Sequence, residues 1–259
     1  MGEAVFNPSK ALNYISCTLL AKKSPMSSNK LNLSENEIIY WDIDLENIDP
    51  SHFVNFYHLL SDKNKTRASL FAKDKDRNLF ITAHFALDFI LEALFEIKPI
   101  VLTNDLGKPY IQNYPIHFNL SHTDKRVILG FSKQALGVDI EKITPLQDLD
   151  LLIEHSMHPD EIALLMKLDP SQKIGQFYSM WTKKEAVVKA MGIGMRKELN
   201  SFSLNSLAED ASWKIFELDL DDRYYAAIAT QNTISNIVGY PLRLPVSVLD
   251  ARRLSRSIR

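Results

Sequence analysis

Two acidic side chains alternate along the segment LGVDIEK, residues 136–142, which has the apolar–polar alternation of a β-strand. Because side chains on a strand point alternately to its two faces, Asp139 and Glu141 leave the same face about 7 Å apart. Carboxylates at that separation repel each other unless a cation or a shared proton lies between them. The pair is a candidate cation site, although alternating acids also occur on the solvent-exposed face of an ordinary strand.

A predicted helix over residues 173–191 supplies a third acid. Trp181, Glu185 and Lys189 are spaced at i, i+4 and i+8, so they share one helix face, and Lys184 adjoins that face. The spacing fits a surface ion pair between Glu185 and Lys189 with Trp181 in the core. It fits equally a functional face that meets the acidic strand.

Combined, the three acids and two lysines predict a site for a metal and a pyrophosphate. Mg²⁺ prefers oxygen ligands and usually takes two or three carboxylates, which leaves positions for phosphate oxygens and water, and Mn²⁺ can occupy similar sites. Lysine ammonium groups beside such a metal would partner phosphate oxygens. The predicted metal ligands are Asp139, Glu141 and Glu185, and the predicted phosphate partners are Lys184 and Lys189.

Other polar residues have a structural as well as a functional interpretation. Glu161 follows Pro159 at a helix start, where an acid can stabilise the helix N-terminus or can lie near the metal as an extra acid or base. The segment Gly107-Lys108-Pro109 can be a surface turn, or it can place backbone N–H groups and an ammonium against phosphate or adenine. The remaining candidate phosphate donors are Ser121, His122 and Arg67.

Composition excludes several classes of protein. The 259 residues carry a formal charge of −2 with a pI near 6.4, which argues against nucleic-acid binding through bulk electrostatics. Cys17 is the only cysteine, which excludes an intramolecular disulfide and a cysteine-based zinc site and fits a reducing, cytoplasmic location. The chain contains no run of 18 apolar residues, so we expect no membrane span.

The order of elements predicts an α+β fold of two pseudo-equivalent halves. Each half has a strand, then helices, then strands, and we expect each to be a small antiparallel sheet packed on a long helix. Because both halves belong to one chain, we expect a pseudo-dimeric monomer. We also expect the strand at 126–132 to form a hairpin with the strand that carries Asp139. The predicted divisions are a poorly ordered N-terminal extension over 1–36, a first half over 37–135, a second half over 136–245 and a basic tail over 246–259.

Four segments resemble, in order, the signatures of 4′-phosphopantetheinyl transferases of the surfactin-synthetase-activating type. The resemblance extends from about Tyr40 to Ala229, and the last two segments are specific to the family. The segments are GKP at 107–109, FNLSH at 118–122, GVDIE at 137–141 and WTKKEAVVK at 181–189.

The resemblance implies an active site in the cleft between the two halves, where coenzyme A would be held. It also implies Mg²⁺-dependent transfer of phosphopantetheine from coenzyme A to a serine hydroxyl of a carrier protein, with release of adenosine 3′,5′-bisphosphate. The carrier would be an acyl, peptidyl or aryl carrier domain of a polyketide, non-ribosomal peptide or fatty-acid synthase. The general base would be Glu185, Glu161 or a metal-bound water, with the spacing to Trp181 favouring Glu161, and Lys189 would offset charge on the phosphates. The residues that match the family's coenzyme A contacts are Arg67, Gly107, Lys108, Pro109, Ser121, His122, Asp139, Lys184 and Lys189.

One departure from the family concerns Asn64, which stands where related proteins often have a lysine, so that Lys63 or Lys65 would have to replace that phosphate contact. The main alternative function is a member of the same fold that binds coenzyme A or a carrier without catalysis. A different Mg²⁺-dependent enzyme acting on a nucleotide is a third interpretation, although no G-x-x-x-x-G-K-[ST] loop is present. The intact set of three acids favours the transferase.

Overall fold

A computed structural model describes two mixed sheets, a small hairpin and seven helices over residues 15–17, 33–95, 97, 100–193, 198–210 and 212–242. The predicted basic tail and most of the predicted N-terminal extension lie outside these ranges. The strands are β1 (Ile15–Cys17), β2 (Glu37–Asp44), β3 (Val101–Thr103), β4 (Pro109–Ile111), β5 (His117–Thr123), β6 (Arg126–Ser132), β7 (Leu136–Lys142), β8 (Trp213–Leu218), β9 (Tyr224–Gln231) and β10 (Asn236–Pro241). The helices are α1 (Ser51–Leu59), α2 (Asp62–Ser69), α3 (Asp74–Phe95), α4 (Leu149–Ser156), α5 (Pro159–Leu165), α6 (Pro170–Met191) and α7 (Leu204–Glu209).

The first sheet has the strand order β10-β2-β6-β5 and is covered on one face by the 22-residue helix α3. Alternate residues of β2 serve its two faces, as the period of a strand requires. Ile39 and Trp41 join Leu87 and Leu91 of α3 in one apolar core. The preceding and intervening residues of β2 point away from α3, toward the second sheet.

The second sheet has the order β1-β8-β9-β7, and the 22-residue helix α6 covers one of its faces. Ala227 and Ala229 of β9 pack with Val187 of α6 in a second core. Helix α6 begins with Pro170 at its first turn and ends at Met191, and Gly192 after it has a left-handed φ of +67° that accommodates the helix C-terminus.

A third apolar core lies between the two sheets. Ile38, Tyr40 and Ile128 from the first sheet pack there with Val138 and Ile140 from the second. The layers are therefore helix, sheet, sheet and helix, which confirms the predicted α+β fold of two similar halves. Because Val138 and Ile140 face the other sheet, the residues that alternate with them face α6.

The two sheets also meet along one edge, where β5 lies beside β7. The side chain of Asn119 on β5 accepts a hydrogen bond of 2.7 Å from the backbone N–H of Val138 on β7. The predicted hairpin between 126–132 and the strand carrying Asp139 is wrong. Strand β6 pairs with β5 and β2, whereas β7 pairs with β9 in the other sheet, because the turn at 133–135 carries the chain from one sheet to the next.

Each sheet has one parallel edge strand that comes from the distant end of the chain. Strand β10, within the predicted second half, pairs with β2 in register Ile237↔Ile38. Strand β1 lies parallel to β8 with Ile15 opposite Phe216. The sheets are thus mixed rather than purely antiparallel. None of the helices in the described part of the chain combines the length and apolar character needed to cross a bilayer.

Candidate active site

Strand β7 and helix α6 approach each other closely at Gly137. A Cβ atom at this position would overlap the backbone of Ala186 and Ala190 on α6, so only glycine permits the observed distance. This contact holds the face of α6 that carries Glu185 and Lys189 against the face of β7 that carries the acids. The predicted sharing of one helix face by Trp181, Glu185 and Lys189 agrees with their equal, half-buried positions.

Asp139 is at the centre of the site, with only 3% of its surface exposed. Its Oδ1 accepts hydrogen bonds from Lys189 Nζ at 2.6 Å and from Ser121 Oγ at 3.0 Å. Lys189 Nζ also donates to Ser121 Oγ at 3.1 Å, which closes a three-membered cluster across β5, β7 and α6. The second carboxylate oxygen, Oδ2, is buried and has no hydrogen-bond partner among the described residues.

Glu141 and Glu185 lie close enough to Asp139 for its negative charge to raise their pKa values. Burial, with the Asp139 carboxylate as the next cause, raises the pKa of Glu141 to about 7. Burial and Asp139 also raise the pKa of Glu185, and the Lys189 ammonium offsets part of this effect for both glutamates. Thr123 Oγ1 lies 3.5 Å from Glu141 Oε2, at the limit of a hydrogen bond. The site therefore gathers more negative charge than the single ammonium of Lys189 balances.

The donor set is chemically suited to a hard divalent cation, although the side chains do not enclose one. Among the described residues, no three His, Cys, Asp or Glu side chains are grouped closely enough to hold a metal ion. Instead, the Lys189 ammonium contacts Asp139. The unpartnered Oδ2 of Asp139 and the mutual repulsion of the acids nevertheless fit an oxygen-liganded cation such as Mg²⁺.

Glu161 and Lys184 form a separate, buried ion pair. Lys184 is fully buried on α6 and donates to Glu161 and, at 2.6 Å, to the carbonyl of Phe202. Glu161, 3% exposed, also accepts from the backbone N–H groups of His158 at 3.0 Å and Leu204 at 2.8 Å. The structure thus places these two predicted site residues with each other, joining α5, α6 and the segment before α7. Within the described part of the chain, neither side chain forms a hydrogen bond or an ion pair with the Asp139 cluster.

Lys108 lies in the β3–β4 turn and contacts the C-terminal end of α6. Its Nζ donates to the carbonyl oxygens of Leu136, Lys189 and Ala190. Burial lowers the pKa of Lys108 to about 8. Gly107 before it has a left-handed φ of +86° and no atom within 4 Å of the Cβ position, and Pro109 after it begins β4.

A third group of polar residues lies in the first half. The Arg67 guanidinium lies 5.1 Å from the ring centroid of Phe80, and the His84 ring packs against the same phenylalanine at 4.2 Å. His84 Nδ1 lies 3.4 Å from Asn64 Nδ2, and burial, aided by Arg67, lowers the pKa of His84 to about 4. His122 is exposed on β5. The positive charge of Arg67 and the exposed ring of His122 leave this region open to an anion.

Ser121 and His122, predicted as a pair of phosphate donors, have different surroundings. Ser121 donates a hydrogen bond to Asp139, whereas His122 contributes to lowering the pKa of His84. Neighbours on a strand point to opposite faces, so the period of two would have grouped Ser121 with Asn119 and Thr123 instead. Those two residues were not singled out from the sequence, yet Asn119 bonds β7 and Thr123 approaches Glu141.

Comparison with known proteins relates this arrangement to one family. The model of the 4′-phosphopantetheinyl transferase superfamily matches residues 135–236, which include β7 and α6. The 4′-phosphopantetheinyl transferase HetI of Nostoc sp. is 29% identical over 77% of this chain and 90% of its own length. The 4′-phosphopantetheinyl transferase Sfp of Bacillus subtilis is 27% identical over 64% of this chain and 74% of its own length. The 4′-phosphopantetheinyl transferase gsp of Aneurinibacillus migulanus is 37% identical over 38% of this chain and 40% of its own length, so the alignment spans less than half of that relative.

The family match and the geometry concern the same elements. The matched region contains Asp139, Glu141, Glu185 and Lys189, which β7 and α6 bring together. The alignment with HetI extends over most of both chains and so includes the first half as well. Over the elements that form this cluster, the chain is therefore similar to the 4′-phosphopantetheinyl transferase superfamily.

Proposed function

We propose that the protein transfers the 4′-phosphopantetheine group of coenzyme A to a serine hydroxyl of a carrier protein and releases adenosine 3′,5′-bisphosphate. The observation that carries this proposal is the cluster of Lys189, Ser121 and Asp139, with the unpartnered Oδ2 of Asp139 beside two further acids. This is the charge pattern needed to hold a pyrophosphate and its metal, and all of its charged members lie within the matched family region, residues 135–236.

Asp139, Glu141 and Glu185 would hold the divalent cation, Mg²⁺ or in its place Mn²⁺. When bound, that ion would supply positive charge to the pyrophosphate oxygens. The raised pKa values of Glu141 and Glu185 support this assignment. Burial and the Asp139 charge disfavour the ionised form of each carboxylate, so a nearby cation would stabilise that form strongly. Once the cation balances the charge of the acids, the Lys189 ammonium would turn from Asp139 toward the phosphate.

The reaction forms one bond and breaks one. The serine oxygen bonds to the phosphorus that carries pantetheine, and the bond from that phosphorus to the bridging oxygen breaks. The electron pair leaves with adenosine 3′,5′-bisphosphate, whose phosphate the Lys189 ammonium stabilises. The serine proton passes to a carboxylate of the enzyme.

We assign the proton acceptor to Glu185 rather than Glu161. Glu161 is only 3% exposed and already accepts from Lys184 and from two backbone N–H groups, so a serine hydroxyl cannot reach its carboxylate. Glu185 is half-buried on the face of α6 that meets Asp139, so a serine hydroxyl brought to the phosphate can reach its carboxylate.

The first half would bind the nucleotide end of coenzyme A. Arg67 and His122 are exposed and could meet its 3′-phosphate, as the resemblance implies. The exposed backbone at Gly107, with free space beside it, could approach the adenine closely. Lys108 and Lys184 are not included in this binding set, because their ammonium groups are engaged by protein atoms.

The acceptor would be the carrier domain of a polyketide, non-ribosomal peptide or fatty-acid synthase, and no nucleic acid or membrane takes part. The single cysteine fits a reducing compartment, and we propose a cytoplasmic, monomeric enzyme whose two halves form the cleft.

The test is to incubate the protein with apo carrier domains of several classes, coenzyme A and Mg²⁺, and to weigh the carriers by mass spectrometry. We expect a gain of one phosphopantetheine group on at least one class, and no gain with Asp139→Ala at unchanged far-UV circular dichroism. Coenzyme A binding without any mass gain would instead support the non-catalytic binding protein.

A further inference from the structure

Lys108 is presented by a turn that has little freedom to move. The Asn104 side chain accepts hydrogen bonds from the backbone N–H of Leu106 at 3.0 Å and of Lys108 at 2.8 Å. The backbone of Asn104 also bonds that of Lys108 in one direction and Gly107 in the other, each at 3.0 Å. An Asx-type turn closed this way fixes the direction in which the lysine leaves the hairpin.

The ammonium of Lys108 has used all of its donors. A lysine ammonium has three N–H groups. Those of Lys108 meet three carbonyl oxygens, at 3.1 Å for Leu136, 2.7 Å for Lys189 and 3.1 Å for Ala190. No donor is left for a phosphate oxygen unless one of these bonds is broken.

The acceptors lie where a helix needs a cation. The last four carbonyls of a helix have no partner within the helix, and the helix dipole places negative charge there. The carbonyls of Lys189 and Ala190 belong to the last turn of α6, which ends at Met191. Gly192 follows in a left-handed conformation, and a Cβ atom there would lie 3.0 Å from the Lys108 side chain. The lysine therefore fills the space beside the helix end.

We propose that Lys108 is a positioning residue, which caps the C-terminus of α6 from the first half and thereby fixes Lys189, and that it does not bind a phosphate of coenzyme A. This inference rests on the proposed transferase function. The Lys108 side chain would then link the β3–β4 turn, which we propose lies near the nucleotide, to the helix that carries the catalytic groups.

A kinetic test separates positioning from phosphate binding. Lys108→Met would be compared with the natural protein using coenzyme A and coenzyme A lacking its 3′-phosphate. We expect kcat to fall at least fivefold with both substrates while each KM stays within twofold, and the ratio of the two KM values to be unchanged. A tenfold rise in KM for either substrate at unchanged kcat would overturn the proposal.

A second measurement uses the natural protein, so it stands even if the variant does not fold or no carrier is modified. Lysines are acetylated with a water-soluble reagent, with and without coenzyme A, and quantified by mass spectrometry. We expect Lys108 to react slowly in both states. Ready labelling in the free protein that coenzyme A suppresses would refute the proposal. Lys125, whose side chain is half exposed, is the matched control and should react under both conditions.

Discussion

The buried pair of Glu161 and Lys184 allows a quantitative test of how α6 is held. Lys184→Met removes the ammonium but keeps an apolar side chain of similar length, and it leaves Glu161 buried at 3% exposure without its counter-ion. Removing one partner of a buried pair destabilises a protein by about 3–5 kcal/mol. The N–H groups of His158 and Leu204 still serve the carboxylate, so we expect a value of about 3 kcal/mol.

The double variant Lys184→Met/Glu161→Gln should be more stable than Lys184→Met alone, because no unpaired charge remains. We expect a coupling free energy of more than about 1 kcal/mol from the four-member cycle. The assay is urea unfolding followed by circular dichroism at pH 7.5. Lys173→Met is the matched control, since its partner Asp150 is largely exposed, and it should cost less than about 1 kcal/mol.

Two outcomes would refute this reasoning. One is a change below about 1 kcal/mol for Lys184→Met with additive single variants, which would mean that the pair does not exist in solution. The other is kinetic. Glu161→Gln keeps the shape of the side chain, and we expect kcat to remain within about tenfold of the natural value. A loss in the range of about 10²–10⁴, with the acid limb of the pH profile removed, would make Glu161 the general base.

Three further changes follow from the fold and the site. Gly137→Ala should separate β7 from α6, lowering both the unfolding midpoint and transfer; a neutral effect in both assays contradicts the close approach. Asp139→Asn should reduce transfer by at least about 10²-fold at any Mg²⁺ concentration, and near-normal rates would exclude Asp139 from the site. Burial and the Glu92 carboxylate raise the pKa of Asp88 to about 7. The Asp88 carboxyl therefore holds a proton in the folded state that it releases in the unfolded chain, and the free energy of unfolding falls as pH rises from about 4 to 7. Asp88→Asn should therefore stabilise the protein at pH 8, by at most about 4 kcal/mol, and not at pH 4 in urea unfolding; equal effects at both pH values would oppose this.

The local features of the site could be predicted because they depend on periodicity. The alternation around Asp139 located β7, and the four-residue spacing from Trp181 to Lys189 identified the face of α6 that meets it. The same geometry limits Lys184. A residue adjacent to Glu185 is rotated by about 100° around the helix, which carries it to a different face, where it meets Glu161.

Contacts between distant segments could not be predicted from a pattern. Strand β7 looked like the partner of β6 because the two are separated by a short turn, yet the apolar faces of both sheets pack on each other and draw the strands into separate sheets. The role of Lys108 depends on a helix end 81 residues away, and nothing in the turn GKP distinguishes a helix cap from a phosphate ligand.

The exchange of edge strands has a consequence for how the chain folds. Glu37 on β2 accepts a hydrogen bond from Asn236, the first residue of β10, and the two residues are 199 positions apart. The first sheet thus keeps an open edge at β2 until almost the whole described chain has been synthesised, although α3 and most of the residues in its core are made much earlier. Closing so long a loop slows folding, and an unpaired β2 edge can associate with another chain meanwhile. A fragment that ends before residue 236 should accordingly aggregate rather than fold as an independent half.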